Sequence, residues 1–73
     1  MKILTQDRSA MIELPKEIWA TCAGEDHRGL VVGTSDHSST MGIYGSIDRA
    51  LAVVKEIFDY YRNGKKTYVM PEK

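Results

Sequence analysis

Apolar and polar positions alternate along the first two thirds of the chain and then switch to a helical period. From Ile47, apolar side chains recur at Leu51, Val54, Phe58 and Tyr61, with Ala50 and Ile57 widening the stripe. Asp48, Ala52, Lys55, Asp59 and Arg62 fill the opposite side. This spacing predicts an amphipathic helix over 47–62, with the Ile47/Leu51/Val54/Phe58/Tyr61 stripe against the core. Ser46 is placed to accept hydrogen bonds from the free N–H groups of the first turn, and Asp48 suits the positive end of the helix dipole. Gly64 can take the left-handed conformation that ends a helix, and Lys65 and Lys66 follow near its negative end.

Before the helix the pattern is that of short strands. Lys2–Gln6 and Ala10–Leu14 flank Asp7-Arg8-Ser9, a hairpin turn, and Pro15 ends the second strand because it has no N–H to donate. Glu17–Ala23 alternates again, placing Ile18, Ala20 and Cys22 on an apolar face opposite Trp19. A turn at 24–27 leads to a fourth strand, Arg28–Thr34. The polar run 35–39 is a loop, Thr40–Tyr44 a fifth strand, and Thr67–Met70 a short last one. The expected fold is α+β: an antiparallel sheet of five to six short strands with one C-terminal helix on one face.

A helix over 47–62 is about 24 Å long and covers one face of such a sheet, not both. The other face keeps some of Trp19, Val31, Tyr44 and Val69, depending on register. In a chain of 73 residues, with a thin core, self-association commonly supplies the missing burial. A homo-oligomer packed through its sheet face or edges is therefore expected.

Composition narrows the partners. Ten basic side chains balance ten acidic ones, which argues against a nucleic-acid or anionic-membrane binder. Cys22 is the only cysteine, so no intramolecular disulfide braces the fold. No apolar stretch approaches a membrane span and no leader pattern follows Met1, so a cytoplasmic protein is expected.

The polar middle carries the candidate chemistry. Asp26-His27 and Asp36-His37 are ligand-type residues, but their spacing matches no zinc pattern, and neither a metal nor another cofactor is expected. Adjacent Asp36, His37 and Ser38 side chains diverge and do not line up as a triad. The glycines form no phosphate loop, and their expected roles are turns and bulges. Cys22 reads as a buried, inert thiol. With no constellation spaced for catalysis, a non-enzymatic binder is expected.

Three segments resemble a group of small proteins from Gram-positive bacteria and their phages and prophages. They are the opening Lys2-Ile3-Leu4-Thr5-Gln6-Asp7, the helix from Ala50 to Tyr61 with Glu56-Ile57-Phe58, and the ending Asn63-Gly64-Lys65-Lys66-Thr67-Tyr68-Val69-Met70-Pro71-Glu72. The group usually carries glycine where this chain has Arg8. The phage association implies a class of role, because phages encode compact oligomeric proteins that neutralise bacterial defences. Some of these sequester nucleotide-derived immune signals. On that reading Arg28 pairs with phosphate, and Trp19 or Tyr44 stacks on a base. Thr34, Ser35 and Thr40 supply hydroxyls, and His27 and His37 add hydrogen bonds. The alternative is an interaction module that binds a host protein through its exposed sheet face or edge.

Overall fold

The chain folds as β1 (Lys2–Leu4), β2 (Met11–Glu13), β3 (Glu17–Ala23), β4 (Arg28–Thr34), β5 (Ser38–Tyr44), α1 (Ile47–Arg62) and β6 (Thr67–Val69). The structure is a computed structural model that describes residues Met1–Lys73. It has the expected α+β class, with one C-terminal helix on one sheet face. The strands divide, however, between two three-stranded sheets, β2-β1-β6 and β3-β4-β5. The larger sheet is an antiparallel meander. In the smaller, β1 pairs antiparallel with β2 and parallel with β6. A parallel partner needs a long crossover, and α1 lies within the connection that brings β6 back beside β1.

The helix begins and ends as its sequence dictates. Ser46 accepts a hydrogen bond from the Arg49 amide at 3.2 Å, and Gly64 takes φ 73 beyond the last turn. Its rotation differs from expectation. The core-facing residues are Ala50, Val53 and Ile57, whereas Leu51, Phe58 and Tyr61 remain 51, 57 and 59 % exposed. At 100° per residue, the buried line lies roughly a third of a turn from the Leu51/Phe58 line.

The cause lies on the opposite flank. Tyr68 of β6 donates its hydroxyl to Glu56 Oε1 at 2.8 Å, and the Tyr60 ring stands edge-on to the Tyr68 ring at 4.9 Å between centroids. Arg49 donates from Nε and Nη2 to the Lys73 carbonyl at 3.0 and 2.9 Å. β6 and the tail therefore occupy the Arg49/Glu56/Tyr60 flank and turn the helix toward themselves.

One core results, formed by Ile3, Val31, Met41, Tyr44, Ala50, Val53, Ile57, Tyr68 and Met70. The first turn of α1 sits so close to β4 that a side chain at Gly29 would collide with the Ser46 carbonyl. Gly29, read from sequence as a turn or bulge glycine, instead makes room for the helix.

The two sheets are joined by polar groups near the β1–β2 turn. The Gln6 amide donates to the Met41 carbonyl at 3.1 Å. Its side chain accepts from the Ile43 amide at 2.7 Å and donates to the carbonyls of Ile43 and Glu72 at 2.8 and 2.9 Å. Arg8 takes φ 65, the conformation glycine adopts most freely. Its Nη1 donates to the Met70 carbonyl at 2.7 Å, tying the turn to the end of β6.

Ile57→Ala is expected to lower the unfolding free energy by about 3 kcal/mol, read from denaturant midpoints. A loss within 0.5 kcal/mol, the range of neutral surface changes, would place the core elsewhere. A second expectation concerns alkaline stability. Burial first, then the hydrogen bond to the Glu56 carboxylate, pushes the Tyr68 phenol far above its ordinary 10.0, and burial raises Tyr44 as well. The unfolded chain releases these protons near pH 10 while the folded chain holds them. Their contribution is therefore complete below about pH 10 and drains away as pH rises further. Tyr68→Phe should flatten that decline in denaturation series from pH 8 to 11; an unchanged slope would contradict it.

Candidate functional site: the open face of the larger sheet

Side chains along β4 alternate between two environments. Gly29, Val31 and Gly33 are buried on the helix side, while Arg28, Leu30, Val32 and Thr34 point to the other face. Pairing with β3 and β5 sets these into rows: Glu17–Thr34–Ser38, Trp19–Val32–Thr40, Thr21–Leu30–Ile43 and Ala23–Arg28. The centre of this face is apolar. Trp19 and Ile43 are 39 and 46 % exposed, and Val32, flanked by Trp19 and Thr40, is almost covered.

A β-bulge determines what β5 contributes. Val31 pairs with Gly42 and Val32 with Thr40, so Met41 is the extra residue, and it is buried in the core. The bulge places Ile43 on the same face as Thr40, although strict alternation would separate positions three apart. Sequence reasoning missed Ile43 and Leu30 as floor residues. Leu30 was visible in the alternation of β4; Ile43 depended on the bulge.

Trp19, Arg28, Thr34 and Thr40 thus share the open face. Arg28, Leu30, Thr40 and Ile43 line a shallow depression of about 290 Å³ with Ala23 and Gly24. Arg28 Nε lies 2.9 Å from Asp26 Oδ2 in an exposed pair. Thr34 Oγ1 and Ser38 Oγ are 3.0 Å apart and hydrogen-bonded to each other. From the Trp19–Thr40 row to Arg28 is four residues along β4, about 13 Å.

The remaining expected site residues lie elsewhere. His27, at φ 53, belongs to the exposed β3–β4 turn. Ser35 and His37 lie in the β4–β5 turn and line a separate depression of about 240 Å³ with Glu13, Pro15, Asp36 and Ser39 among others. The two turns stand at opposite ends of β4, about 20 Å apart, so within one chain they cannot grip one small ligand. The same separation keeps Asp26-His27 from Asp36-His37, and no three His, Cys, Asp or Glu side chains are grouped to hold a metal.

Two expectations are overturned. Tyr44 is not available to stack on a base: it is 2 % exposed on the helix side. Its hydroxyl donates to the Pro71 carbonyl at 2.9 Å, and its ring lies over Gly42. The bulge explains this placement, because it sets Tyr44 opposite Gly29 on the core side. Cys22 is exposed, not buried. β3 is an outer strand, and the first turn of α1 sits over Gly29, the neighbour of Cys22 on β4, leaving the thiol uncovered.

Comparison with protein-family models, curated proteins and solved structures finds no match. No helix is long and apolar enough to cross a membrane.

Proposed function

We propose that this protein is a non-enzymatic binder whose working surface is the open face of β3-β4-β5, and that its ligand is a planar, phosphate-bearing molecule of nucleotide type. The observation that carries this reading is the shared placement of Trp19, Thr40 and Arg28 on one face, with about 13 Å between the tryptophan row and the arginine. An extended nucleotide has this form. The indole offers a stacking surface for a base, Thr40 a hydroxyl, and the Nη groups of Arg28 a fork for phosphate oxygens. On this reading the ligand is held, not turned over. In a phage setting, as the resemblance implies, holding a nucleotide-derived signal would remove it from a defence pathway.

A second reading is favoured by Leu30, Val32 and Ile43. They make the middle of the face apolar and flat, with charge at its ends, as at the centre of a protein–protein contact. On that reading Trp19 is the anchor for a host protein.

Calorimetry against a panel of cyclic and linear nucleotides separates the two. Micromolar or tighter binding, about −8 kcal/mol, is expected for at least one. Arg28→Ala and Trp19→Ala should each weaken it tenfold or more, and His37→Ala, at the far end of the sheet, should leave it unchanged. Heat with no nucleotide, together with Trp19-dependent capture of a host protein, would decide for the second reading.

A further inference from the structure

The two edges of the larger sheet are treated differently. β5 is obstructed at its bulge by Gln6, whose backbone and side-chain amides take up the Met41 carbonyl and both polar groups of Ile43. β3 pairs only with β4. None of the backbone hydrogen bonds outside the regular elements involves Glu17–Ala23, so the outward-facing amides and carbonyls of a seven-residue strand have no partner. An open edge of this length is a template for strand addition.

Beside that edge runs the uncovered flank of α1. Phe58, Tyr61 and Val54 line a groove with Ile18 of β3 and with Leu14, Pro15 and Lys16 just before it. Leu51 continues the same line one turn earlier, at the spacing that puts residues on one helix face. An apolar stripe and an unpaired strand edge therefore lie side by side.

We infer that two copies of this chain pair antiparallel through their β3 edges, forming one six-stranded sheet with the two α1 stripes packed against each other over the junction. The strand itself indicates the occupant. Centred on Ala20, the pairing sets Ile18 against Cys22 of the partner and Trp19 against Thr21 of the partner, with no like charges opposed. Lys16 at one end meets the acidic turn, Glu25-Asp26, of the other copy, and the two-fold axis repeats this contact. The exposed parts of Leu51, Phe58 and Tyr61 amount to about 300 Å². With the strand edge added, the contact reaches the lower end of the stable class, about 600 Å² a side.

This pairing also changes the open face. Trp19 and Trp19 of the partner subunit become diagonal cross-strand neighbours, about 7–8 Å apart and within aromatic reach. The single indole of each chain becomes half of a two-ring platform. The dimer does not depend on the nucleotide reading, and its test uses no ligand.

Sedimentation velocity at 10–100 µM should give a particle of twice the chain mass. Leu51→Asp and Phe58→Asp should each give single chains with an unchanged far-UV spectrum, because both side chains are already exposed in the folded protomer. Lys16→Glu should weaken association tenfold or more, and adding Glu25→Lys should restore it. Trp19 emission should change on dilution in the parent protein and not in Leu51→Asp. A single-chain particle across the whole range would overturn the inference. So would a double-mass particle that persists in both Asp variants, or a charge-reversed pair that fails to recover.

Discussion

Tyr68 is the constraint from which the arrangement follows. Its ring is buried in the core beside Ile3 of β1 and edge-on to Tyr60, and its hydroxyl donates to Glu56 on the helix. A buried phenol without that acceptor would carry a penalty of about 1–3 kcal/mol. The bond therefore fixes which flank of α1 faces β6. With β6 held there, β1 acquires its parallel partner, the smaller sheet forms, and its Ile3 and Tyr68 complete the core beneath the larger one. The apolar flank on the far side of the helix is left bare as a result.

Much of this was legible in the sequence, and the failures share a cause. The helix limits, its Ser46 cap and the order of strands all rest on local signals: periodicity, capping chemistry and turn residues. The rotation of the helix does not. The apolar residues of α1 span a broad arc that includes Val53 as well as Leu51 and Phe58, and periodicity finds the arc without saying which part meets the core. That choice depends on Glu56 and Arg49, polar residues whose partners Tyr68 and Lys73 lie 12 and 24 positions away. The division into two sheets was hidden for the same reason, since β1 and β6 come from the two ends of the chain.

The candidate site shows the same limit on a smaller scale. Trp19, Arg28, Thr34 and Thr40 follow strict alternation, and the structure brings them to one face as alternation requires. Tyr44 and Ile43 lie beyond the Met41 bulge, which exchanges their faces; Gly42 beside it fits the bulge role read for the glycines, but a glycine alone does not say which residue is the extra one. The two His-bearing turns were distinguishable as loops, but only the hairpin geometry shows that the length of β4 separates them.

The side chain of Gln6 has a wider consequence. One primary amide, with its carbonyl and N–H₂ ends, stands in for a neighbouring peptide group on β5. A β-structure with two bare edges is bifunctional and can grow without limit, as fibrils do. With Gln6 seated on β5 at Met41 and Ile43, that edge is obstructed at its bulge, and the β3 edge is the longer uninterrupted one left for strand addition to this sheet. A single side chain from the β1–β2 turn, bonded to the backbone beneath the open face, thus makes the two sides of the larger sheet unequal.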